Sequence, residues 1–216
     1  MKIRLRNPDP QWINRIKLAV FVLCLLPLGL LAWRALNGQL TANPIEFITH
    51  TTGWWALALL MITLSVTPIR RMLDLPWLLR LRRMLGLYAF FYACLHFLTW
   101  LVLDQFFDWH AILKDVVKRP YITVGFTAFV LLLPLAMTST NAMVRRLGAK
   151  RWLALHRLVY VIATLGVVHF LWLVKKDIRE PAAFAAVLAL LLGLRVIFYL
   201  RRRMPATSPR THQHQT

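Results

Sequence analysis

Six long apolar runs divide this chain, and nearly all of its charged residues lie between them. The runs are Leu18 to Trp33, Phe47 to Ile69, Met84 to Leu103, Pro120 to Val144, Lys150 to Lys176 and about Pro181 to Leu200. Each is close to the ~20 residues with which a helix crosses a hydrocarbon layer ~30 Å thick. A soluble domain of 216 residues has too little polar cover for a sequence that is 59% hydrophobic and only 16% charged. In lipid the backbone has no water to bond, so each run must close its own hydrogen bonds as a helix. The expected fold is all-α, a six-helix transmembrane bundle. It places a six-span domain over 18–200 between an amino-terminal segment (1–17) and a tail (201–216).

The loops give the bundle a direction. Lys and Arg number five from Met1 to Lys17, five from Ile69 to Arg83, four from Arg145 to Arg151 and four from Arg201 onward. The alternate loops hold none, three (Lys114, Lys118, Arg119) and three (Lys175, Lys176, Arg179). This asymmetry predicts both termini in the cytoplasm. No small-residue cleavage site follows the first run, which reads as an uncleaved helix. Pro134 is expected to kink or end the fourth helix. The tail lacks apolar anchors and reads as disordered, with His212 and His214 as surface residues. The net charge of +19 sits in short clusters between spans, a membrane pattern that argues against a nucleic-acid surface.

Histidines inside apolar runs need an explanation, because a buried imidazole is costly to leave without a partner. His156 and His169 lie in the fifth run and His96 in the third. Both runs head outward in this topology, so depth follows from residue count. His96 stands eight residues before Asp104 and His169 six before Lys175, roughly 12 and 9 Å from the outer ends. The two share a level. Each can hydrogen-bond a carbonyl or hydroxyl across a helix contact. Alternatively the pair can clamp one iron, since a haem takes two axial nitrogens facing each other at one depth. Gly166 and Tyr92, each about one turn from a histidine, are read as shaping room for a flat macrocycle. There is no CxxCH, so any haem is b-type, and Cys24 and Cys94 form no CxxC pair.

His156, five residues past Arg151 and roughly 8 Å in from the cytoplasmic end, has no histidine opposite. The matching positions before His96 are Arg82 and Arg83, and a guanidinium has no lone pair for iron. His156, Arg157, Arg82 and Arg83 are read instead as an anion-binding cluster for a flavin phosphate, a haem propionate or a lipid head group, unless the arginines only snorkel to the interface. Snorkelling is the expectation for Arg195. His50 and His110 read as solvated, and the tryptophans as an interfacial belt. No GxGxxG or P-loop spacing is present, so no Rossmann-type nucleotide site is expected. A transporter or proton pathway using the same histidines is the alternative class, opposed by runs without Asp or Glu and without an inverted repeat. A structural anchor for a partner is the third.

Three blocks carry a family resemblance. They are HTTGWWAL with VTPIRR between His50 and Arg71, RRMLGLYAFFYACLH from Arg82 to His96, and MTSTNAMVRRLGAKRWLALHRLVY with HFLWL from Met137 to Leu173. Together they resemble the MsrQ family, formerly YedZ, over all but the two tails, and more broadly the transmembrane domain of ferric reductases and NADPH oxidases. That wider group carries two histidines on each of helices three and five, whereas this chain keeps both on the fifth and only His96 on the third. The resemblance implies a b-type cytochrome subunit of the bacterial inner membrane, with one haem on His96 and His169, a second left open, and FMN. It implies electrons drawn from the quinone pool or a cytosolic flavin reductase. They would pass to MsrP, a periplasmic molybdopterin enzyme that repairs methionine sulfoxide, docked on the outer loop from Asp104 to Arg119. Substrate chemistry would then lie on the partner.

Overall fold

The computed structural model describes residues 8–203. The readings made for the first seven residues and for the tail beyond 203, His212 and His214 included, lie outside the described residues. Among the described residues six helices are long and apolar enough to cross a membrane: Pro10–Leu36, Pro44–Leu73, Pro76–Asp104, Pro120–Met137, Ala149–Leu173 and Arg179–Arg201. We label the elements α1 (Pro10–Leu36), α2 (Pro44–Leu73), α3 (Leu79–Leu98), α4 (Trp109–Lys118), α5 (Pro120–Met137), α6 (Asn141–Leu147), α7 (Ala149–His156), α8 (Leu158–Leu173) and α9 (Arg179–Arg203). A 3-10 turn, Pro76–Leu78, leads into α3, and a π-helical segment, Thr99–Asp104, extends it.

The helix starts are written locally. Pro10, Pro44 and Pro120 occupy first-turn positions, where their missing N–H costs nothing. Asp9 caps α1 through Gln11 N at 2.9 Å, and Asn43 caps α2 by accepting from Glu46 N at 3.3 Å while its amide reaches Glu46 Oε2 at 3.0 Å. Several threonines inside the spans bond their own helix, as Thr63 does to Leu59 O at 2.7 Å, so those hydroxyls can sit in lipid or core.

Packing centres on α2. Over half of its most apolar stretch (56%) is buried inside the bundle, against 11% for α1 and α9. The most extensive pairings are α2 with α3 and α5 with α8; α3 touches α5, and α9 covers α2 and α8. Leu64 and Ala163 are fully buried at the centre. The outer helix α1 is fastened by two tyrosines of α3. Tyr88 donates to Phe21 O at 3.2 Å, and Tyr92 donates to Cys24 O at 2.8 Å while accepting from Leu28 N at 3.2 Å. Tyr92 thereby bridges two backbone groups of α1 beside Pro27, whose ring disturbs the helical ladder.

Three boundaries differ from the sequence expectation, the first being that α1 begins at Pro10, within the segment expected to precede the bundle. The fourth run is not one span to Val144: α5 ends at Met137, one turn past Pro134, where the Thr138 hydroxyl donates to Pro134 O at 2.6 Å. Thr140 then caps α6, and Gly148, at φ 76°, turns the chain into α7. The loop after the third run also holds a helix. Asp108 caps α4 through His110 N and Ala111 N, Ile112 is buried, and Trp109, Leu113 and Val117 form an exposed apolar stripe. The charges of α4 hid this amphipathic period from a search for uncharged runs.

Candidate metal centre

His96 lies in the last turn of α3 and His169 in the last turns of α8, at one end of the bundle. Their ring centroids are 6.1 Å apart and their planes are inclined by 76°. Each ring is held at Nδ1 by a carbonyl of the helix packed against its own. Nδ1 of His96 is 2.9 Å from Thr49 O on α2, and Nδ1 of His169 is 2.7 Å from Tyr121 O on α5. A carbonyl only accepts, so Nδ1 carries the proton in both rings and Nε2 keeps its lone pair. Among the described residues neither Nε2 takes part in a hydrogen bond.

A glycine one turn beyond each carbonyl makes the seat. A Cβ added at Gly53 would lie 2.8 Å from His96 Nδ1, and one at Gly125 would lie 2.6 Å from His169 Nδ1. Both distances are well inside van der Waals contact, so any larger residue drives the ring off its carbonyl. Thr49 with Gly53 and Tyr121 with Gly125 thus repeat one device on two helices. Gly166 and Tyr92, expected to make this room, do not line it. Gly166 instead lets α8 approach Leu57, which an added Cβ would meet at 3.2 Å, and Tyr92 turns away toward α1. Depth counting extended to glycines finds the right pair: Gly53 is nine residues from the start of α2 and Gly125 five from the start of α5, the levels of His96 and His169.

This geometry suits a haem iron. Two imidazoles on opposite sides of one metal need two bonds of about 2 Å and half a ring on each side, a centroid separation of about 6 Å. The observed 6.1 Å meets that requirement. An Nδ1–H bonded to a carbonyl is also the arrangement that fixes the tautomer of a metal-ligating histidine. No group of three or more His, Cys, Asp or Glu that could hold a metal occurs among the described residues. Beside His96, Phe97 stacks on Phe129 at 4.6 Å and meets Phe126 at 6.1 Å, an apolar wall between α3 and α5.

The other end of the bundle is built differently. His156 spends Nε2 on the Thr138 hydroxyl at 3.0 Å, and its ring stacks on Trp152 at 4.0 Å. Trp152 in turn donates Nε1–H to Thr138 O at 2.9 Å, which docks α7 against the end of α5. His156, Arg82 and Arg83 line one cavity of about 250 Å³ with Thr63 and Gly86. Arg83 donates to Asn141 Oδ1 at 2.6 Å. Arg157 is exposed and lies outside that lining.

Arg195 does not snorkel. Its guanidinium turns into the bundle, donating from Nη1 to Tyr160 Oη at 2.7 Å and from Nη2 to Leu64 O at 2.5 Å. The cause lies four residues on from Leu64: Pro68 has no N–H, which leaves the Leu64 carbonyl without its helical partner. Arg195 supplies one, with its cation over the Tyr160 ring at 4.9 Å. His50 is exposed, 3.9 Å from the Glu180 carboxylate.

Six spans around an imidazole pair define a class of membrane protein, and sequence comparison agrees on it. Residues 52–167, over half of the chain, match the family described as ferric reductase like transmembrane component. A protein of Herminiimonas arsenicoxydans is 57% identical over 199 residues, 91% of each chain. One of Rhodospirillum rubrum is 54% identical over 193 residues, 89% of this chain and 93% of its own, and one of Ralstonia nicotianae is 53% identical over 189 residues, 87% of each. All three are named protein-methionine-sulfoxide reductase heme-binding subunit MsrQ. The chain belongs to the MsrQ family.

Proposed function

We propose that this chain is a b-type cytochrome subunit that carries electrons across the bacterial inner membrane to a methionine sulfoxide reductase. The observation that carries the reading is the pair of carbonyl-anchored imidazoles, 6.1 Å apart, each with Nε2 free. His96 and His169 would hold a haem b, which would supply reversible one-electron chemistry. Held by both imidazoles, such a group would favour electron transfer over binding of oxygen or a substrate. Thr49 and Tyr121 hold the tautomer, and Gly53 and Gly125 set the ring positions.

The loop charges orient the chain with both termini in the cytoplasm, residues 1–17 and 201–216 flanking the six-span domain. Electrons enter at the His156 end, from the quinone pool or a cytosolic flavin reductase. They leave near His96 toward the periplasmic enzyme MsrP, docked on the segment from Asp104 to Arg119. The His156, Arg82 and Arg83 cavity is offered to an anionic group. At about 250 Å³ it is smaller than the ~300–1,000 Å³ of most ligand sites. It therefore suits an FMN phosphate or a haem propionate, and Arg157 takes no part.

Protein purified from membranes should show a reducible Soret band, with haem counted against protein. Replacing His96 or His169 by Ala should remove the band; a wild-type spectrum in both variants would overturn the pairing.

A further inference from the structure

A larger recess lies on the α1 side of α3, adjoining the His156 cavity through their shared lining residues Leu79, Arg83 and Leu87. A groove of about 770 Å³ opens between α1 and α3, and Lys17, Arg80 and Arg83 stand at one end of it. Lys17 is in the second turn of α1 and the arginines open α3, so all three sit at the same face of the bundle. Phe21 and Leu25 follow Lys17 by four and eight residues along one face of α1, roughly 6 and 12 Å deeper. Phe91 lines the opposite wall, and Tyr88, bonded to Phe21 O, closes the deep side. No carboxylate lines the groove, and none of the three cations has an acidic partner among the described residues. Among the described residues Arg83 bonds the neutral Asn141 amide.

Three cations converging on an apolar, membrane-facing cleft ask for an anion that also carries hydrocarbon. A neutral head group leaves the charges uncompensated, and a soluble anion leaves the aromatic wall unfilled. Basic pockets between spanning helices are where anionic lipid head groups bind. We infer that this groove holds an anionic phospholipid, with its phosphate among Lys17, Arg80 and Arg83 and an acyl chain along Phe21, Leu25 and Phe91. The lipid fills the gap beside the sparsely packed α1 and ties it to α3, adding to the two tyrosine hydrogen bonds.

The test uses the full-length protein, washed free of lipid in detergent and returned to phosphatidylcholine nanodiscs with phosphatidylglycerol titrated in. Retained lipid is read by native mass spectrometry and stability by thermal unfolding. Phosphatidylglycerol should be retained over phosphatidylcholine of the same chain length by roughly tenfold or more. That preference should fall toward unity in Lys17→Gln/Arg80→Gln, which leaves the shared Arg83 in place. Leu25→Trp, which fills the apolar wall, should lower uptake of either lipid. Equal retention of the two lipids by the wild-type protein overturns the inference, as does a preference unchanged in the double variant. Stabilisation by inorganic phosphate alone equal to that by phosphatidylglycerol assigns the site to a free anion and overturns it too. The wild-type comparison needs no variant, so a poorly folding variant leaves the question decided.

Discussion

The helical segment from Ala149 to Leu173 carries a histidine near each end, and the two ends use imidazole in opposite ways. At His169 the protein takes Nδ1 with a backbone carbonyl and leaves Nε2 without a hydrogen bond among the described residues, with a second ring centred 6.1 Å away. At His156 it takes Nε2 with Thr138 and stacks the ring on Trp152. Opposite His169 stands His96; near His156 stand Arg82 and Arg83. The difference teaches that burial alone does not make a histidine a ligand. What matters is which nitrogen the surroundings already occupy and what faces the other one.

The largest test of that contrast is a pair of substitutions in this one segment. His169→Ala should take the haem content of purified protein close to zero, while His156→Ala should keep the Soret absorbance of the haem proposed to be held by His96 and His169. Equal losses would erase the distinction between the two ends. Next come the glycine seats. Gly125→Val and Gly53→Val should each cut haem occupancy several-fold with both ligands still present, and overpacking should cost about 1–3 kcal/mol in thermal unfolding. A full haem complement in either variant would show that the seat does not set the ring.

A smaller effect sharpens the structural side. Arg195→Met strips Leu64 O of its donor and should lower stability by about 1–3 kcal/mol. In a Pro68→Ala background the loss should shrink, because the alanine restores a backbone N–H that can reclaim that carbonyl; an undiminished loss would mean Arg195 acts through Tyr160 instead. Smallest of all, Thr138→Val removes the partner of His156 Nε2. It should cost about 0.5–1.5 kcal/mol in unfolding measurements and leave the spectrum of the haem proposed at His96 and His169 unchanged.

Much of this was legible along the chain. Long uncharged runs specify spanning helices because lipid leaves the backbone no other solution, and Asp9, Asn43 and the span-starting prolines mark where they begin. The matched depth of His96 and His169 follows from a fixed rise per residue. Where the reading failed, the missing information was azimuthal. Tyr92 and Gly166 are at suitable depths but face α1 and Leu57, and Arg195 has the spacing of a snorkelling residue yet points inward. Helix α4 was missed for a different reason, since its amphipathic period is interrupted by charge.

The sequence by itself determined the number of crossings, their approximate ends, the charge asymmetry across the membrane and the level of each histidine, because these depend on local hydrogen bonding and on the transfer of single segments into lipid. Only the tertiary structure decided which carbonyl and which glycine meet each ring, that Arg195 answers Pro68 and that a basic groove opens beside α1. Those outcomes depend on helix rotation and partner choice. Both are set by close packing between segments far apart in the chain, which residue counting along one helix does not contain.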